Sequence, residues 1–558
     1  MKKRVALMLA AMSIVASFAG CGGFNEEGGE KVDAKKTQLY VHSYGGGVGN
    51  DWLTAIADKF EKEYAETSFE PGTDKKGVQI ITDTSKSDQI SIIANNKNNI
   101  IFAEAVAFNA LSKSGLVLDI TDVVTELNLD GKTIESKLDS TMKDALTVNG
   151  GQYYALPHYE YYPGVTFDRD VFDEYFLYIG EDGSYTNFAG ARSKGPDGKT
   201  GVINGVDYTY DDGLPATITE FLNLCEQMAM VGVEPIIYTG AYPSYGDMFI
   251  MGLMAALSEK DEFLLNFSFD SYKGGTLSED EAVKMKIIDE FSGNTPVVTE
   301  TVITPETGYL TTKHAAKYYA LNTLETIIKT SKYLSESISD ADTHLMAQED
   351  FIYSKLEGKP IAMLFEGSFW YEEASIARDN SETEFGESAK NRNFAWMPLP
   401  TQVSEAKEKK ESFLVNEANS YVVINANIKT NENLVNLSKL FLKYCYTDEN
   451  LQLFTQESNC FKGVNYEIEG EQYEKLDRYT QSIVDLRKSN TVIVPMSNSP
   501  VYLADQTNFF FQHCFYFKTK TNASAIGAIK GNKSMKSFFE EMQIGEAQWT
   551  SAYSQYFN

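Results

Sequence analysis

Arginine, histidine, cysteine and tryptophan are all scarce in these 558 residues, and several of these scarcities close off a chemistry. The five histidines and five cysteines include no CxxC pair and no histidine at ligand spacing, so no zinc site is legible. Neither Gly-x-Ser-x-Gly nor His-Glu-x-x-His occurs; the chain is expected not to be an enzyme and to need no cofactor. Positive charge is in deficit: 49 lysines and arginines against 79 acids leave a net charge of −30. That balance argues against nucleic acid and anionic lipid as partners, since both demand basic patches. Long apolar runs are missing too. After the N-terminus nothing approaches the roughly 20 residues of a membrane-spanning helix.

What is present begins with an export signal. MKKR, the apolar run Val5 to Ala19 and Gly20-Cys21 follow one another in the order of a signal peptide. "FAGC", Phe18 to Cys21, resembles a bacterial lipobox, which implies lipidation of Cys21 and anchoring on the extracytoplasmic face of the membrane. Lysine outnumbers arginine 42 to 7, a composition habit that points to a low-GC Gram-positive surface. Residues 21–36 are polar, Gly-rich and patternless, as a flexible tether is. Removing residues 1–20 takes the charge to −33 and leaves 558 − 20 = 538 residues, more than one core accommodates, so at least two lobes are expected.

"TQLYVHSY" alternates as a strand, "GGGVGN" breaks it, and "DWLTAIADKFEKEY" carries a helical apolar stripe. Strands at Lys76–Thr82 and Asn98–Ala105, each followed by helix, extend the alternation and predict a parallel α/β sheet. Ligands of such sheets sit beyond the carboxyl ends of the strands, which singles out His42, Tyr44 and Glu104. Residues 179–214 hold eight glycines and read as an irregular or hairpin surface insertion. Its "SKGPDGKT" has Ser193 where a phosphate loop has its first glycine, and Asp207, Asp211 and Asp212 lack EF-hand spacing; no metal is expected. Helix Thr217–Gly232 and strand Val233–Gly240 resume the alternation, Ser258 to Gly358 reads mostly helical, and strands follow at Lys359–Trp370 and Asn419–Asn427. Cys225 and Cys445 read as buried thiols, with a Cys445–Cys460 bridge left open. Trp52, Trp396, Tyr153 and Tyr154 read as core, and Phe509 and Phe510 as late cleft candidates.

Five stretches in order then carry a resemblance: "GNDWLTAIADKFEKEY", "AVAFNALSKSGLVLDITDVV", "VNGGQYYALPHYEYYPGVTFDRDVF", "LEGKPIAMLFEGSFW" and "NLSKLFLKYCYTDENLQLFTQESNCFKGVN". Together they resemble the extracellular solute-binding proteins of carbohydrate ABC importers, the maltose-binding-like family 1. The resemblance implies a two-lobed α/β fold of the periplasmic-binding-protein type (type II), with three crossovers forming a hinge. On it, residues 37–158 and 419–463 form the N-terminal lobe, and 159–418 and 464–558 the C-terminal lobe. It implies a monomer that captures a carbohydrate between the lobes and delivers it to permease subunits. Tyr44, Glu104, Tyr159, Glu160, Tyr162, Tyr242, Tyr245, Glu366, Phe369 and Trp370 are the expected ligand contacts. Glu160 is expected to accept two hydroxyls. Alternatives are a surface glycan-binding or sensory lipoprotein, a peptide or polyamine binder, and a glycan-active enzyme.

Overall fold

The computed structural model describes residues 32–84, 93–94, 97–104, 108–148, 150–179, 201–203, 206–208, 213–404, 413–418, 420–504, 517–519, 521 and 523–557. The signal segment, Cys21, Asp211, Asp212, Asn419, Phe509 and Phe510 lie outside them. β1 (Thr37–Ser43), β2 (Val78–Asp83), β3 (Ile100–Ala103) and β4 (Leu156–Pro157) are joined by β14 (Tyr421–Ile424) in a five-stranded sheet of order β2-β1-β3-β14-β4. β5 (Pro163–Asp168), β8 (Glu234–Ile237), β11 (Ile361–Gly367) and β12 (Phe394–Trp396) form the second sheet, in the order β12-β5-β11-β8. Both sheets are mixed, which corrects the parallel expectation. β1 runs parallel to β2 and β3, and β14 returns antiparallel between β3 and β4. β5 is likewise antiparallel to β11 and β12. The cause is connectivity: strands that enter a sheet from a crossover arrive from the hinge side and run the opposite way.

Local sequence dictates most elements. In the helix Asp51–Glu63 the i, i+1, i+4, i+8 apolar spacing buries Trp52, Leu53, Ile56 and Phe60, each contributing about 1.5–3 kcal/mol. Thr217 and Glu220 form a reciprocal capping box on helix Ile218–Met230. The helical expectation for Ser258–Gly358 needs correction: β9 (Lys284–Ser292) and β10 (Thr295–Val302) form an antiparallel hairpin inside it. "TPVVTETV" is dense in β-branched residues and suits a pleated surface. Two short pairs complete the strands: β6 (Gly201–Ile203) with β7 (Val206–Tyr208), inside the predicted insertion, and β13 (Phe413–Val415) with β15 (Thr491–Ile493). Cys225, Cys445 and Cys460 are free, buried thiols.

The chain passes between the sheets at residues 158–162, at 416–418 with 420, and at 459–464, and these three crossovers are joined by backbone hydrogen bonds. The His158 N–H donates to the Ser420 carbonyl at 2.9 Å, and the Glu160 N–H to the Phe461 carbonyl at 2.9 Å. Lys462 lies wholly buried beneath them. Its Nζ is 2.9 Å from His158 Nδ1 and 4.2 Å from the ring centres of both Trp52 and Phe454. Rings supply favourable quadrupoles but no counter-charge, and burial depresses the lysine to about 7 from its ordinary 10.5. Burial also holds His158 neutral.

A depressed lysine has a fixed linkage sign. Between about pH 7 and pH 10.5 the unfolded chain binds more protons than the folded one, so this group makes stability rise with pH. Lys462→Met removes that dependence. Denaturant unfolding of both proteins should show the wild type gaining on the variant, by a few kcal/mol, as pH is raised from about 7 to about 10. A pH-independent difference would mean that the buried amine keeps its ordinary affinity for protons.

Candidate functional site: an acid-rich interlobe crevice

The carboxyl ends of β1 and β3 deliver Tyr44 and Glu104 to the interlobe crevice. Between Tyr44 and the helix Asp51–Glu63, the Gly45–Gly47 backbone passes so close to its neighbours that an added side chain would displace them. A Cβ on Gly46 would lie 2.6 Å from Glu104 Oε1, and one on Gly47 would lie 2.7 Å from the Phe369 ring. Phe369 belongs to the second lobe yet packs into the first lobe's core, edge-on to Tyr161 at 5.1 Å. From the hinge, the Tyr159 hydroxyl donates to Glu104 Oε1 at 3.2 Å and that of Tyr161 to Glu417 Oε2 at 2.6 Å.

The second lobe contributes the starts of two helices and the end of β11. Tyr245, in helix Ser244–Leu257, stacks on His344, in helix His344–Leu356, at 5.7 Å and 16°. Tyr242 lies 5.6 Å from the same imidazole. One turn further, Gln348 Nε2 donates to Glu366 Oε2 at 3.2 Å and to Glu373 Oε2 at 3.0 Å. Burial raises Glu366 well above the ordinary carboxylate range, and the neighbouring Glu373 adds to the shift. Burial alone lifts Glu373 and Glu417 to about 7. Tyr245 is raised by burial and then by Glu366, Glu373, Tyr242 and Tyr44; Tyr159 is raised by burial and by a set of neighbours that includes Glu104 and Glu373. Those mutual effects place groups from both lobes within electrostatic reach of one another.

Seven of the ten expected contacts therefore converge: Tyr44, Glu104, Tyr159, Tyr242, Tyr245, Glu366 and Phe369. Three do not. Trp370 is fully buried in the second lobe, packed against Phe351, Phe394 and Tyr479. Glu160 and Tyr162 are also buried, and both are engaged by Arg487 of helix Arg478–Ser489. Arg487 pairs with Glu160 and donates to the Tyr162 hydroxyl at 2.7 Å, while Tyr162 donates to Glu160. The carboxylate expected to accept sugar hydroxyls is held by a hinge ion pair instead. His42 is core as well, with Nδ1 3.5 Å from Asp83.

His344, Gln348, Glu373, Glu417 and Asp247 were not anticipated. Some signal existed: Glu372 and Glu373 follow directly in "FWYEE", and His344 and Gln348 are four apart on one helix face. Two cavities open elsewhere. One, behind the hinge, is lined by residues including Pro163, Gly252, Trp396 and Phe413; the other lies at the far interlobe edge, lined by residues including Thr141, Asp144, Asp261 and Lys273. Neither is lined by any of the converging acids.

No family model matches the chain, and no curated protein matches its sequence. Its fold, however, matches solved structures. A chitin oligosaccharide binding protein superposes with a TM-score of 0.52 at 14% identity, covering 93% of this chain and 99% of that one. The chain has the periplasmic solute-binding fold. A Bacillus subtilis subsp. subtilis str. 168 binding protein designated MsmE, in an open conformation, gives 0.49 at 10% identity, covering 94% and 99%. In this solute-binding fold the crevice just described lies between the two sheet lobes, beside the three crossovers.

Because Glu160 is buried against Arg487, its removal leaves an uncompensated guanidinium in the hinge. Glu160→Ala should cost about 3–5 kcal/mol in denaturant unfolding, and adding Arg487→Met should recover most of it. A Glu160→Ala protein as stable as the wild type would show that the pair is solvated.

Proposed function

We propose that the chain is an extracytoplasmic substrate-binding lipoprotein that captures an oligosaccharide between its lobes and delivers it to the permease of an ABC importer. The observation that carries this is the convergence of rings and acids from both lobes on one crevice. Sugar rings present C–H faces that aromatic rings match, and hydroxyl rims that carboxylates, amides and phenols match. Tyr44, Tyr242, Tyr245 and Phe369 supply the first; Glu104, Gln348, Glu366 and Glu373 supply the second. The fold shared with a chitin oligosaccharide binding protein supports the assignment. A ligand touching both lobes favours the closed arrangement over the open one, with the crossovers as pivot.

On this reading the chain acts as a monomer held at the outer membrane surface by acyl chains on Cys21, each buried methylene contributing about 0.8 kcal/mol. Gly22 to Lys36 is the tether that lets the lobes reach the permease. A micromolar ligand needs about −8 kcal/mol, within reach of two stacked rings and a set of hydroxyl bonds.

A thermal-shift screen over a panel of oligosaccharides should return at least one ligand that raises the melting temperature. Tyr245→Ala should then weaken it about tenfold or more by calorimetry, and Gly47→Val, which pushes Phe369 aside, should weaken it further. A panel without a single shift, or a Tyr245→Ala protein of unchanged affinity, would remove the proposal.

A further inference from the structure

The crevice holds more buried carboxyl groups than a neutral saccharide would use. Glu366 and Glu373 are bridged there by Gln348, and Glu417 accepts from the Tyr161 hydroxyl; Asp247, on the first turn of helix Ser244–Leu257, feels the charge of Glu417. Among the described residues, no lysine or arginine forms an ion pair with Glu366, Glu373, Glu417 or Asp247. The nearest cationic influences are Lys518, felt by Asp247, and His344, whose Nε2 is 3.9 Å from Glu373 and which burial keeps neutral. Elsewhere the protein meets this problem differently: the buried Glu160 has Arg487, and the buried Asp168 has Arg392.

A second observation is independent of the charge count. Both carboxylate oxygens of Asp247 are buried without a hydrogen-bond partner among the described residues, and so is Oε1 of Gln348, the residue whose Nε2 bridges Glu366 and Glu373. Asp247 is 3% exposed and Gln348 0%. Orphaned buried acceptors of this kind are costly and rare in folded proteins. All three call for donors. Tyr242 and Tyr245 pack on His344, one turn from Gln348, and Tyr245 feels both Glu366 and Glu373; such ring faces attract cations as well as C–H groups.

We infer that the crevice takes a ligand bearing a primary ammonium group. On the reading proposed above, which this inference rests on, the bearer is an amino sugar with its amine free. An ammonium offers three donors and no acceptor and brings the counter-charge that Glu366 and Glu373 lack. An N-acetylated sugar of the same shape brings neither.

Calorimetry on the full chain, at neutral pH, with three probes separates the possibilities: a glucosamine oligomer, the matched N-acetylglucosamine oligomer, and spermidine. The glucosamine oligomer should bind at least about tenfold tighter than its acetylated counterpart. Glu373→Gln and Glu366→Gln should each shrink that ratio, and two variants guard against one that fails to fold. Equal or tighter binding of the acetylated oligomer would overturn the ammonium assignment and leave the carbohydrate reading standing. Binding of spermidine alone would uphold the ammonium assignment and overturn the carbohydrate reading. Failure of all three probes to bind folded protein would overturn the assignment.

Discussion

The structure depends on the bonding of three chain crossovers into one band. His158 is tied to Ser420 and Glu160 to Phe461 through the backbone, so the hinge is a small ladder rather than three separate linkers. In extended backbone successive side chains point to opposite sides, and the segment 159–162 obeys that period. Tyr159 and Tyr161 join the first lobe's core and send their hydroxyls to Glu104 and Glu417. Glu160 and Tyr162 turn the other way and meet Arg487. One short stretch thereby supplies both the structural ion pair and two walls of the crevice.

That division has an electrostatic consequence. The hinge acid is neutralised by an arginine, whereas the crevice acids are bridged by an uncharged glutamine. Burial therefore raises the affinity of Glu366, Glu373 and Glu417 for protons, because desolvation disfavours the charged form and hydrogen bonds from Gln348 and Tyr161, with no cation paired to these acids among the described residues, offset only part of it. Lys462 is the mirror case: a lysine among rings, pushed toward neutrality by the same desolvation. Such groups weaken the resting protein.

The glycine loop at 45–47 brings the lobes together. Gly47 has no room for a side chain because the Phe369 ring and its Cβ occupy the space, whereas at Gly46 the space is taken by the movable Glu104 carboxylate. Phe369 of the other lobe packs directly against that loop.

Period and punctuation alone were enough to reveal the α/β alternation, the apolar stripe of Asp51–Glu63 and the helix after Thr217, while the crossover near His158 was implied by the family resemblance. The first three are local properties, set by neighbours within one or two turns. Strand direction, the β9–β10 hairpin and the roles of individual aromatics and acids were not legible that way. Trp370 and Phe369 are adjacent, yet one is core and the other reaches across the crevice. Glu160 reads as a free acceptor until Arg487, more than three hundred residues later, is folded against it. Chemistry of that kind is decided by which distant side chain arrives, and only the tertiary structure brings it there.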